Sequence, residues 1–326
     1  MKRVAKPAGR FNVVIEEAPI PHPGADEVRV RAVRSLISRG SEIGARYTRE
    51  HPIDPERMGY SLAGVVDEVG ADVQHLREGD RVVAVAPHAQ FVIRPAGPRG
   101  PGEQARVVPM PDDLGFEAAA YFPLSGGAVA WTEIERIQPF DTVVILGQGL
   151  VGSLMLQVGK ANGRGRFIAV DALPERCALS GELGADHVID AAAEDPVQAV
   201  QRLTNGAGAD IVVYAVGGPA GPKAFDQGLD MLAVGGLLHL IGLYEDQPLP
   251  LSSVKIQRRR LLGGYYRQIV DPGCARRAME LLASGAIRTD RMTSHRFPYR
   301  DAAAAFDLLY NSPGEAMGVL LDWEAE

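Results

Sequence analysis

The sequence predicts an α/β protein in which a doubly wound parallel sheet is joined to a second, mostly β domain. Three observations predict it. From Asp141 onward, near-continuous apolar runs alternate with helix-length segments, the pattern of a parallel sheet covered on both faces. Before about residue 110, short β-rich runs are punctuated by Gly, Pro and Asp. The 326 residues also exceed one domain of roughly 150 residues, leaving room for two cores.

In order along the chain, FNVVIEEA, EVRVRAV, LAGVVDEV, DRVVAVA and FVIRP read as the strands of the first domain. GPRGPG, at residues 97–102, is a loop, and near Asp112 the pattern turns to Ala-rich helix signals such as FEAAAYF. TVVILG, RFIAVD, DIVVYAV and GLLHLIG then read as parallel strands separated by helices. After RRLLGGYY come two amphipathic helices, CARRAMELLAS and RDAAAAFDLLYN, and a last strand, GVLLDW. There is no internal repeat of solenoid length and no low-complexity tract.

Composition removes several functions. The 34 basic and 41 acidic residues leave a net charge of −7, which argues against binding a nucleic-acid backbone. The only basic cluster, Arg258-Arg259-Arg260, reads as a solvated strand edge. Cys177 and Cys274 are the only two cysteines, too few for a disulfide framework or a four-cysteine zinc lobe, and a reducing, cytoplasmic setting is expected. MKRVAKPAGRF turns polar early, and no run reaches the roughly 18 apolar residues of a membrane span.

The clearest motif is Gly147-Gln148-Gly149-Leu150-Val151-Gly152, directly after the apolar strand TVVIL and opening a helix-length segment. Gly147 permits the turn, Gly149 lets backbone N–H groups approach a pyrophosphate, and Gly152 allows close helix–strand packing. The helix N-terminus adds partial positive charge. Asp171 ends the next strand, 171 − 152 = 19 residues beyond the last glycine, where a carboxylate binds a ribose 2′-OH and repels a 2′-phosphate. NAD(H) is therefore expected over NADP(H). Arg176 either swings toward the ribose and softens that preference or is a solvated helix residue.

At this point the chain resembles the medium-chain dehydrogenase/reductase superfamily over nearly its full length. The resemblance rests on GYSLAGVVDEVG (59–70), REGDRVVA (77–84), PLSGGAVAW (123–131), the glycine motif, ELGADHVID (182–190), GGLLHLIGL (235–243) and FPYRDAAAAFDLL (297–309). It implies a GroES-like mostly β domain formed by residues 1–118 and 267–326, with a Rossmann dinucleotide-binding domain at 119–266. It also implies that Ala215-Val216-Gly217 and Ile241-Gly242-Leu243 flank the nicotinamide. The segment GGYYR, with Tyr265 and Tyr266, falls where many relatives meet a partner subunit, so a homodimer or homotetramer is expected.

The departures from the family pattern are equally specific. Where zinc members carry their ligands, this chain has Arg39 (in Arg39-Gly40-Ser41-Glu42), Tyr60 (in Gly59-Tyr60-Ser61) and Phe122 (before Pro123-Leu124-Ser125). Neither arginine nor phenylalanine ligates zinc, so no metal is expected. The alkoxide must then be stabilised by donors, and Tyr60, Ser41 and Arg39 are the candidates. Tyr60 would exchange a proton with the substrate oxygen if a nearby cation, such as Arg39, lowered its pKa. Ser41 matches the relay hydroxyl of zinc members. Arg39 alternatively pairs with Glu42, Tyr60 with backbone, and Ser41 caps a turn. His51 is a further acid/base candidate or a surface histidine.

The leading expectation is a zinc-independent, NAD-dependent oxidoreductase that interconverts a secondary alcohol and a ketone on a sugar, cyclitol or aminosugar derivative. Two alternatives stand beside it: an NAD(P)H-dependent quinone or C=C reductase, and a dinucleotide-binding protein without turnover.

Overall fold

The computed structural model describes residues 1–98, 106–243, 247–264 and 272–325. Along the chain the strands are β1 (Lys2–Ala5), β2 (Val14–Glu17), β3 (Glu27–Ile37), β4 (Leu62–Val69), β5 (Arg81–Ala84), β6 (Phe91–Pro95) and β7 (Val107–Pro109). A π-helical segment, Arg39–Tyr47, follows β3. Helices α1 (Phe116–Ala119) and α2 (Phe122–Glu135) precede β8 (Thr142–Leu146), α3 (Leu150–Ala161), β9 (Arg166–Asp171), α4 (Pro174–Glu182) and β10 (His187–Asp190). Then come α5 (Pro196–Leu203), β11 (Ala209–Tyr214), α6 (Gly221–Met231), β12 (Leu232–Leu240), α7 (Ser253–Ile256) and β13 (Arg260–Gly263). The chain closes with α8 (Pro272–Ala283), α9 (Thr289–Met292), β14 (Thr293–Pro298), α10 (Ala302–Asn311) and β15 (Gly318–Asp322). Tyr265 and Tyr266, the expected subunit contact, lie outside the described residues.

The chain divides into Met1–Gly126 with Val270–Glu326, and Gly127–Ile269, so the division falls inside α2. The first unit is built on a sheet of order β14-β15-β3-β4-β5-β7, with β6 also pairing with β3 and β1-β2 forming a separate ribbon. β3 alternates half-buried and buried residues over its first half, as a strand with one face on a core does. That core contains Val28, Val30, Leu62, Val82, Val319 and Leu321, covered by Phe306 and Leu309 of α10.

The second unit is a six-stranded sheet of order β10-β9-β8-β11-β12-β13, and every neighbouring pair is parallel. Its strands read 3-2-1-4-5-6, the doubly wound order with a switch point between the first and fourth strands. All five residues of β8 are buried, which explains their unbroken apolar run. The expected α/β architecture with a separate mostly β unit is what the chain forms. No described helix is long and apolar enough to cross a membrane.

Candidate active site

The two units each carry one part of the candidate machinery. In the parallel-sheet unit, β8 and β11 lie side by side and the glycine loop leaves the C-terminal end of β8 at the switch point. Gly147 has φ +87°, and a Cβ there would stand 2.9 Å from the Ala215 carbonyl oxygen. At Gly152 a Cβ would fall 1.9 Å from the Gly147 carbonyl oxygen. The chain's own packing therefore requires both of these glycines.

Gly149 is different. Its φ of −75° is ordinary, and the only atom that an added Cβ would meet is Arg176 Nη1 at 3.6 Å. Nothing in the chain needs a glycine there, whereas a pyrophosphate against the uncapped N-terminus of α3 does. The loop thus fits a dinucleotide. Gln148 is buried with its Nε2 donating to the Ile145 carbonyl at 2.9 Å, and Leu150 and Val151 open the helix. We expect Gly149→Ala to melt near the wild-type temperature while losing dinucleotide affinity, and Gly152→Ala to lower the melting temperature itself. Thermal melts and NADH titrations of the two variants check this.

The neighbouring strand ends close around the loop. Ala215 N–H donates to the Leu146 carbonyl, and the N–H groups of Ile241 and Gly242 both donate to that of Tyr214. A Cβ on Gly242 would stand 2.5 Å from the Val216 carbonyl oxygen, so these two segments pass in near contact. Gly217 continues the first segment in extended backbone, and Leu243 is exposed. Asp171 accepts the Gln148 N–H at 2.7 Å through Oδ2, and those of Ala172 and Leu173 at 2.8 and 3.0 Å through Oδ1. The carboxylate therefore ties the turn after β9 to the glycine loop. Arg176 is not a solvated helix residue: its side chain is 13% exposed and its Nη1 lies 3.9 Å from Asp171 Oδ2. Burial pulls its pKa down and Asp171 holds it up.

In the mostly β unit, the residues around Tyr60 form a buried polar cluster. Gly59 has φ +109°, and a Cβ there would stand 2.7 Å from the backbone nitrogen of His88. Only glycine lets Tyr60 enter β4 past that segment. His88 N–H donates to the Met58 carbonyl at 2.7 Å and completes the crossing. His88 and Glu42 are fully buried, with His88 Nε2 2.8 Å from Glu42 Oε1 and Nδ1 2.8 Å from Ser35 Oγ. Trp323 Nε1 donates to the same Ser35 oxygen at 2.8 Å. Ser35 Oγ thus joins the Trp323 indole to His88, whose other ring nitrogen meets the Glu42 carboxyl. The Ser38 N–H donates to Glu42 Oε2 at 2.8 Å and satisfies its other oxygen.

Tyr60 is half-buried, with the hydroxyls of Ser38 and Ser41 beside its own. The expected lowering of its pKa is not what the structure gives. Burial, reinforced by the Glu42 charge, pushes Tyr60 up to about 12, against the pull of Ser38, Ser41 and Arg46. The cation acting on it is Arg46, not Arg39. Arg39 instead sends its Nε to the Leu309 carbonyl on α10, 3.2 Å away. Phe122 is buried at the start of α2, and His51 is exposed.

Sequence reasoning passed over His88 and Arg46, and offered Glu42 only as a partner for Arg39, whereas it bonds His88 and the Ser38 N–H. The signal for His88 was its place in the apolar run VVAVAPHAQFV, where a polar ring must be buried and partnered.

The doubly wound sheet with its glycine loop, joined to a mostly β unit, is an architecture that fits a dinucleotide-dependent enzyme. The family model for "Zinc-binding dehydrogenase" matches residues 151–284, and that for "Alcohol dehydrogenase GroES-like domain" matches residues 24–121. Together they cover more than half of the chain, which belongs to the medium-chain dehydrogenase/reductase superfamily. It is 26% identical to sorbitol dehydrogenase of Bacillus subtilis, over 95% of this chain and 94% of the relative. It is 28% identical to D-arabitol-phosphate dehydrogenase of Enterococcus avium, over 94% of each. An Escherichia coli oxidoreductase/dehydrogenase of unknown specificity shares the fold with TM-score 0.85 at 21% identity, over 99% of each chain.

Proposed function

We propose that the protein is a zinc-independent, NAD-dependent oxidoreductase that interconverts a secondary alcohol and a ketone on a polar small molecule, a sugar, cyclitol or aminosugar derivative. The observation that carries it is Tyr60, a phenol set among two serines where zinc members of the family keep a metal ligand. Relatives that act on sorbitol and D-arabitol phosphate support the polar substrate.

The residues around Tyr60 do not fit a zinc ion. Glu42 and His88 are spent on each other, and the guanidinium of Arg46 opposes a dication. Among the described residues no three His, Cys, Asp or Glu side chains converge on one point.

A bound nicotinamide dinucleotide supplies hydride exchange with the carbinol carbon. Tyr60 keeps its proton at neutral pH and delivers it to the carbonyl oxygen as that oxygen becomes an alkoxide. Ser38 and Ser41 orient the phenol. Ser41, only half-buried, is the hydroxyl through which the phenolate regains a proton. Arg39 contributes through the seam between the π-helical segment and α10. The Glu42–His88–Ser35 chain fixes the backbone of Ser38 and so the phenol's surroundings.

Asp171 supports NAD(H). NADH is expected to bind at least roughly tenfold tighter than NADPH, about 1.4 kcal/mol, by fluorescence titration. The ratio should fall in Asp171→Asn. One observation favours a second reading: Arg176 lies beside both Asp171 and Gly149, where a cation suits a 2′-phosphate. A wild-type preference for NADPH would make the quinone or C=C reductase the better assignment. A homodimer or homotetramer belongs to the proposal too: among the described residues β13 is the last strand of the sheet, and Val234 of β12 and Leu261 of β13 are exposed.

A further inference from the structure

The π-helical segment Arg39–Tyr47 carries two charged side chains with contrasting surroundings, Glu42 and Arg46. Glu42 is fully buried and has both oxygens committed, one to His88 Nε2 and one to the Ser38 N–H. Arg46 has an Nη1 that is buried from solvent and has no hydrogen-bond partner among the described residues. Its guanidinium forms no ion pair with any described carboxylate, although Glu42 lies one helical turn away. A desolvated guanidinium nitrogen without an acceptor costs free energy that a folded chain ordinarily avoids. Its planar fork is matched by a carboxylate or a phosphate monoester, which accept two parallel N–H bonds. An anion from outside the chain would supply the missing partner. Its place is set by the neighbours: Ser41 is on the same segment, and the charge of Arg46 is felt at the Tyr60 hydroxyl.

We propose that Arg46 is a specificity-determining residue that pairs with a carboxylate or phosphate group on the substrate while the reacting carbon–oxygen group is held at Tyr60. This rests on the alcohol–ketone oxidoreductase reading and narrows it from polar substrates in general to anionic ones. A sugar acid and a sugar phosphate share the chemistry that Arg46 selects.

Two measurements on the full-length protein test it, each with wild type and Arg46→Gln. The first is calorimetric titration with inorganic phosphate and, separately, acetate, in the presence of saturating NADH so that the glycine loop is filled. A binding event in wild type that is absent from Arg46→Gln is expected, and the anion that gives it says which source the site prefers. Equal heats in the two proteins, or none with either anion, overturn the proposal. The second is turnover of neutral polyols against their carboxylate and phosphate counterparts. Wild type should favour an anionic member at least about 100-fold in kcat/KM, and in Arg46→Gln that preference should collapse to within about threefold. An unchanged preference overturns the proposal. Arg46-dependent anion binding together with no turnover of any alcohol or ketone upholds the anion site and instead removes the oxidoreductase reading. Arg46→Gln should melt no lower than wild type, because the substitution removes a desolvated charge, so a lost binding event is not a folding defect.

Discussion

Replacing Tyr60 by phenylalanine is expected to lower kcat/KM for ketone reduction by roughly 10²- to 10⁴-fold, the contribution of a positioned general acid. NADH affinity should stay where it was. The sign of the pH dependence follows from a pKa raised to about 12. Ketone reduction uses the protonated phenol, which is fully populated at neutral pH, so Tyr60 contributes no slope there. Alcohol oxidation uses the phenolate, whose fraction rises about tenfold per pH unit below the pKa. Its kcat/KM should therefore climb with pH past about 10 without a plateau, and the climb should vanish in Tyr60→Phe. A plateau near neutrality would mean a phenol with a depressed pKa. Undiminished turnover by the phenylalanine variant would remove Tyr60 from the mechanism.

The second large effect is on stability and lies in the parallel-sheet unit. His239, the penultimate residue of β12, is fully buried with its Nδ1 2.7 Å from Glu135 Oε1 at the end of α2. Burial pushes the Glu135 carboxyl up, and the bond to His239 works against that shift. His239 Nε2 is itself buried with no hydrogen-bond partner among the described residues, as is Trp131 Nε1 one turn earlier on α2. His239→Leu strands the Glu135 carboxyl and should cost about 3–5 kcal/mol in denaturant unfolding. Adding Glu135→Leu should return most of that loss, since well-packed apolar residues replace such pairs at little cost. If the double variant is as unstable as the sum of the singles, shape and not charge governs the site.

Most of the second unit could be read in the sequence because its determinants are local. Gly147, Gly152 and Asp171 lie on consecutive elements, and the parallel sheet follows from repeated strand–helix alternation. The Tyr60 cluster is different in kind. Glu42 and His88 stand 46 residues apart, Ser35 and Trp323 stand 288 apart, and only the pairing of β15 with β3 joins the latter two. No window of sequence reports such a meeting. The misplaced cation has a narrower cause. The segment after β3 carries i→i+5 hydrogen bonding, as from Thr48 N to the Ile43 carbonyl, a winding that no periodicity in the sequence announces, and it is the charge of Arg46 that acts on Tyr60. His239 in GGLLHLIGL and His88 in its apolar run were visible as polar residues in apolar settings, but neither partner was.

The placement of β15 also dictates an order of assembly. During synthesis, residues 318–322 leave the ribosome after every strand of the parallel sheet, whose last member ends at Gly263. Until then, the stretch of β3 from Arg34 to Ile37 has β4 on one side only, and Ser35 has no indole donor. The parallel-sheet unit can thus mature co-translationally while the mostly β unit waits for its last strand. A nascent chain stopped short of residue 318 would hold the glycine loop but not the finished support for Tyr60.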